Sequence, residues 1–141
     1  MILADVNVLL YAFRRDAEDH DRYREWLHGV VNSQSAYGVS PQVLSSFVRI
    51  STHPGIFARP SRMSEALAFC QALMEQEQCQ VIQTGPRHWS IFTDLCLRSQ
   101  ASGNLVQDAW FAALAIEHGC EWITTDRDYS RFPGLRWRPP F

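Results

Sequence analysis

Lysine is missing from this chain, and all 13 basic residues are arginine. Arginine's planar fork can hold two phosphate oxygens, whereas lysine is a point charge. A compositional bias of the genome explains the replacement more simply, so the absence is a hint and not a motif. An excess of either charge is also missing. The formal net charge is −2, so nothing global draws the chain to nucleic acid, and such a partner must be met by local basic patches. The four cysteines, Cys70, Cys79, Cys96 and Cys120, lie far apart. No Cys-x-x-Cys pair marks a zinc site and no export signal is evident, so reduced thiols in a cytoplasmic protein are expected. No apolar run approaches the length of a membrane span. Repeats, low-complexity tracts and linkers are absent, and 141 residues with 46% hydrophobic content suit one domain over residues 1–141.

What is present begins with Met1-Ile2-Leu3-Ala4-Asp5-Val6-Asn7-Val8-Leu9-Leu10-Tyr11-Ala12. An apolar run leads into Asp5 and a second follows, which predicts a buried strand ending at a carboxylate and then a helix through Phe13. Tyr23, Trp26, Leu27 and Val30 fall at helical spacing in a helix from about Asp19, its expected N-cap, to Val31. A strand over 36–39 precedes a helix opened by Ser40 and Pro41 and stopped near His53-Pro54-Gly55. A helix over 64–78, a strand over 79–83 and a helix through Leu97 come next. Asn104 with Gln107 reads as a capping box, so a helix is expected from Leu105 to a C′ residue at Gly119. A strand over 121–125, a turn over 126–132 and an edge segment over 135–137 complete an α/β pattern. Its expected core is a mostly parallel sheet of 4–5 strands flanked by helices.

Three carboxylates stand out. In a parallel α/β sheet, ligands gather at the carboxyl ends of strands. Asp5 and Asp126 both follow strands, and Asp108 opens the helix feeding the second of them. Each has an ordinary explanation: Asp5 as an N-cap, Asp108 as a charge suited to a helix dipole, Asp126 as a turn residue. Together at one sheet edge they would repel one another unless a cation intervened. Hard oxygen ligands completed by water suit Mg²⁺ or Mn²⁺. Such an ion can activate water and stabilise an attacked phosphodiester. Asp128 is a candidate fourth acid, and Asn7 a candidate group to orient Asp5 or a water.

The chain resembles PIN-domain ribonuclease toxins of the VapC type, from bacterial type II toxin–antitoxin pairs. The likeness rests on Leu3-Ala4-Asp5-Val6-Asn7-Val8-Leu9-Leu10-Tyr11-Ala12, on Phe47-Val48-Arg49-Ile50-Ser51-Thr52-His53-Pro54, on residues 103–115 around Asp108, and on Thr124-Thr125-Asp126-Arg127-Asp128-Tyr129-Ser130-Arg131-Phe132. It implies a PIN-like three-layer fold and a Mg²⁺-dependent endoribonuclease that cuts tRNA or rRNA and slows translation. It further implies a homodimer and a cognate VapB-type antitoxin whose tail blocks the acidic pocket. Asp5, Asp108 and Asp126 fall on the family's acidic positions. One departure is plain. The family usually has a glutamate on the helix that starts at Ser40, and here Leu44, Ser45 or Ser46 stands in its place. Ser45 is a candidate to hold a water there, with Asp128 able to compensate.

Two other readings compete. A degenerate PIN domain would bind RNA or antitoxin with little nuclease activity. A phosphatase of the haloacid-dehalogenase type also places Asp-x-Asn after its first strand, but it needs a lysine. Among the remaining residues, the histidines His20, His28, His53, His88 and His118 show no ligand spacing and read as surface or core-edge groups. Trp89, Phe92 and Leu95 read as a core face. Arg49 is a candidate phosphate contact near the pocket. Arg14, Arg15, Arg22 and Arg24 form the best candidate basic patch, unless Asp16, Glu18 and Asp21 neutralise it. The Trp137–Phe141 tail is expected to dock, since its rings bury apolar area.

Overall fold

Parallel strands covered on both faces must be apolar throughout, and the runs Ile2–Ala4 and Tyr37–Val39 meet that requirement. A computed structural model describes residues 1–141. In order it contains β1 (Ile2–Ala4), α1 (Val6–Phe13), α2 (His20–Val31), β2 (Tyr37–Val39), α3 (Pro41–Ser51), α4 (Met63–Glu75), β3 (Cys79–Val81), α5 (His88–Ser99), α6 (Asn104–Glu117), β4 (Glu121–Ile123), a 3-10 turn (Arg127–Arg131) and β5 (Trp137–Arg138). The five strands form one sheet in the order β3-β2-β1-β4-β5, and every neighbouring pair is parallel.

Sequence steps outward from β1 to β2 to β3, then returns across the sheet to β4. Right-handed crossovers therefore put α1–α4 on one face and α5–α6 on the other. The helices pack in those same two groups, α1 with α2 and α3, α3 with α4, and α5 with α6. This is the three-layer α/β arrangement the sequence pattern predicts. The direction of winding reverses between β1 and β4. In open α/β sheets the crevice outside such a reversal is where ligands bind.

The core explains why the elements stay in register. Leu3, Trp122 and Ile123 are wholly buried in β1 and β4, as are Phe47 and Val43 on α3, and Trp122 stacks on Phe111 of α6. Ala109, Ala112, Ala113 and Ala115 are also wholly buried, so α6 lies close against its neighbours. A Cβ on Gly38 would sit 2.9 Å from Ile82 Cγ1, which keeps that β2 position small.

Several local expectations change. The N-cap of α6 is Gly103, at φ 57° and ψ −130°, with Asn104 already helical and no side-chain cap bond. Only glycine holds that backbone easily, so it displaces the capping box. Asp108 consequently lies in the second turn of α6, beyond the reach of the dipole argument. Asp19 does precede α2, but in a left-handed conformation without a side-chain cap bond. His88 is buried, not at a surface, with Nε2 2.9 Å from the Trp110 carbonyl oxygen. Trp89 is 65% exposed, so only Leu95 and, in part, Phe92 belong to the interior. Phe141 packs on Tyr23 at 4.9 Å between ring centroids, docking the tail as expected.

Candidate functional site

Asp5 stands where β1 ends and α1 begins. Its amide donates to the Ile123 carbonyl (2.9 Å), extending the β1–β4 ladder by one residue. Its Oδ1 accepts from the Val6 amide at 2.7 Å, so it caps α1. Its Oδ2 accepts from the Thr124 hydroxyl at 2.6 Å. The capping role and the site role are thus the same carboxylate, held by both oxygens. Thr124 is wholly buried just past β4, and its Oγ1 accepts the Asp126 amide at 3.0 Å. One hydroxyl therefore ties the loop carrying Asp126 to Asp5.

Asp108 reaches the same corner from α6. The buried Tyr129 hydroxyl donates to its Oδ1 at 3.3 Å. Asp126 Oδ1 accepts the Asp128 amide at 2.9 Å, opening the 3-10 turn that carries Tyr129. Neither Thr124 nor Tyr129 is marked by the sequence pattern. A buried hydroxyl between two acidic stretches becomes visible only once the strands are paired.

The acids feel one another. Burial pushes Asp5 up to about 6 against the hydrogen bonds from Thr124 and Val6, and the Asp108 and Asp126 charges add to the rise. Burial also pushes Asp108 up to about 6, reinforced by Asp126 and, more weakly, Asp128, and opposed by Tyr129. Desolvation and the same acids push the Tyr129 phenol far up, so it stays a donor. Asn7 adds an amide whose Nδ2 donates to Thr125 Oγ1 at 3.1 Å. Its Oδ1 is buried with no partner at all.

This donor set suits a hard divalent cation. Every ligand-capable atom is oxygen, the carboxylates repel one another, and an orphaned amide oxygen adjoins them. No three acidic, histidine or cysteine side chains are drawn into a ready cage.

The other candidates fall outside the cluster. Asp128 is exposed and pairs with Arg131 at 3.7 Å. Leu44 is buried in the core, and Ser45 and Arg49 are exposed on α3. No carboxylate from α3 joins the acids. Glu117, unmarked by the sequence reading, is a buried acid of a different kind. Burial would raise it, but the Gly85 and Arg87 amides and nearby histidines hold it below the usual range. It staples the β3–α5 connection, and a Cβ on Gly85 would meet its Oε2 at 2.7 Å.

The fold and this corner define an α/β protein with acidic side chains linked by hydroxyls at the reversal point of a parallel sheet. Residues 2–135 match the family profile of the PIN domain. Ribonuclease VapC25 of Mycobacterium tuberculosis is 39% identical over 141 residues, covering 99% of each chain. VapC ribonuclease Mb2897 of Mycobacterium bovis is 36% identical over 140 residues, 99% of this chain and 95% of that one. The chain belongs to the PIN-domain family, among the VapC ribonucleases. The fold is similar to VapBC2 from Rickettsia felis, solved with a promoter DNA fragment, at a TM-score of 0.72 and 16% identity, covering 99% of this chain and 98% of that one. It is also similar to Mycobacterium tuberculosis VapC20, a sarcin-ricin loop cleaving toxin, at 0.68 and 14%, covering 96% and 99%.

Proposed function

We propose that residues 1–141 form one PIN-like domain, the cytoplasmic toxin of a type II toxin–antitoxin pair and a Mg²⁺-dependent endoribonuclease. Mn²⁺ is the alternative ion, tRNA or rRNA the substrate, and inhibition of translation the consequence. The observation that carries this reading is the coupling of Asp5, Asp108 and Asp126 through Thr124 and Tyr129 at the sheet's reversal point. Full-length relatives called ribonucleases support it. A VapB-type antitoxin and a homodimer complete the reading. No helix is long and apolar enough to cross a membrane.

Asp5, Asp108 and Asp126 would hold the ion. Once bound, it supplies charge neutralisation for the phosphodiester and a more acidic water. The protein's own contribution is orientation. Val6 and Thr124 lock both Asp5 oxygens, Tyr129 turns Asp108, and Asp126 keeps Oδ2 without a hydrogen bond to position a water. Asn7 braces the loop after β4 through its Nδ2 bond to Thr125 Oγ1.

The bare α3 favours a second reading, a PIN domain that binds RNA or antitoxin with little cleavage, because no α3 acid supports the cluster. Incubating RNA with the protein with and without Mg²⁺, beside Asp5→Asn, separates the two. Metal-dependent cleavage lost by at least about 100-fold in the variant supports the enzyme. Equal cleavage by the variant would overturn the assignment, and no metal-dependent cleavage of any RNA would leave the binding module.

A further inference from the structure

Five arginines from three distant stretches of sequence line two adjoining clefts at the far end of α1 from Asp5. One cleft, of about 510 Å³, is bordered by Arg15 and Arg24 over Phe13 and Phe69. The other, of about 630 Å³, is bordered by Arg14, Arg15, Arg59 and Arg62. Phe13 and Arg15 belong to both, so the two read as a single groove.

Arg14 builds this groove and offers it no free donor. It is buried, and its guanidinium donates to Asp16 (3.0 and 2.7 Å), the Ser61 hydroxyl (2.9 Å), and the carbonyls of Arg59 (3.0 Å) and Ser51 (3.4 Å). Phe57 stacks on it, with 3.6 Å from Cζ to the ring centroid. Every donor direction is used, and Asp16 consumes its charge. The result is a fixed loop that presents Arg59 and Arg62 opposite Arg15. Arg15, Arg24, Arg59 and Arg62 are exposed and make no ion pair. Asp21 and Glu65 are the only unpaired acids along the clefts.

We infer that this groove binds the phosphodiester backbone of RNA away from the cut site. Four unpaired guanidiniums repel one another unless a polyanion lies among them, and in a chain of net charge −2 they concentrate the positive field locally. Guanidinium forks match phosphate oxygens, and the partly buried aromatic floor can take a base face. Asp5 and Arg14 bracket α1, whose eight residues span about 12 Å, a gap that a few nucleotides bridge. The inference rests on the RNA-cleaving reading above, since it assigns where the same substrate is held.

The test is binding without chemistry. Unfractionated tRNA labelled with a fluorophore is titrated in EDTA, across a range of salt, against wild type and the triple variant Arg15→Ser, Arg59→Ser, Arg62→Ser. Arg14 is left intact, and its bond to residue 59 is through a backbone carbonyl, so the loop stays in place. An unchanged melting temperature confirms that. The expected result is affinity weakened about tenfold or more, with the slope of log affinity against log salt smaller by about 2. Poly-glutamate should compete poorly with tRNA. Unchanged affinity and slope, no tRNA binding by wild type, or equal capture of poly-glutamate by the same arginines would overturn the groove assignment. Loss of cleavage evidence alone would overturn only the earlier reading, because binding is scored in the absence of metal.

Discussion

Asp5 performs two tasks that a sequence reading sets against each other. As a cap it satisfies α1, and as a buried acid beside two others it is strained. Asp5→Asn should therefore separate stability from activity. Cleavage should disappear, while metal-free protein at neutral pH should melt several degrees higher, as scanning calorimetry would register. Tyr129 acts through Asp108. Tyr129→Phe keeps the ring packed against Trp122 and Phe132 but removes the donor. Mg²⁺ affinity in a metal titration should fall about tenfold, with the melting temperature nearly unchanged. A large melting shift without an affinity change would instead make the hydroxyl purely structural.

At the scale of elements, the arginine run after α1 divides by burial. Arg14 ties the end of α1 to the end of α3 and to the 59–61 loop. Arg14→Ala should destabilise by about 2–3 kcal/mol in urea unfolding, since two carbonyls lose their donor. Arg15→Ala, one residue on but exposed, should stay within about 0.5 kcal/mol. The existence of the helices was legible from spacing, and so were their stops at Gly119 and His53-Pro54. The start of α6 was not, because Asn104 and Gln107 fit a capping box while Gly103 takes a positive-φ backbone that starts the helix one residue earlier. Trp89 misled for a related reason. Its spacing matches Leu95 on α5, yet α6 covers only part of that helix.

Across the whole molecule, the acidic corner links folding to pH and metal. Burial and mutual repulsion push Asp5 and Asp108 up to about 6 in the folded state, above the ordinary aspartate range near about 4. The folded state then binds more protons than the unfolded one between about pH 4 and 6, so metal-free stability falls as pH rises through that window. For Asp5 the penalty at neutral pH is about 3 kcal/mol. Metal-free wild type should lose stability from pH 5 to pH 7.5 relative to Asp5→Asn. Saturating Mg²⁺ should raise the melting temperature at pH 7.5 and do so far less at pH 5, where protons compete for the ligands. A Mg²⁺ effect of equal size at both pH values would place the ion elsewhere.

Local order determined much of this protein by itself: alternating apolar runs specify an α/β fold, and three acids follow or adjoin predicted elements. Those are properties of neighbours in the chain, where periodicity and charge speak directly. Only tertiary packing decided what the acids share and which arginines converge. Thr124 meets Asp5 across 119 positions of sequence, and Arg59 and Arg62 meet Arg15 because a buried Arg14 folds their loop back. No local pattern encodes such meetings, because they follow from strand order and from which side chains the core excludes from water.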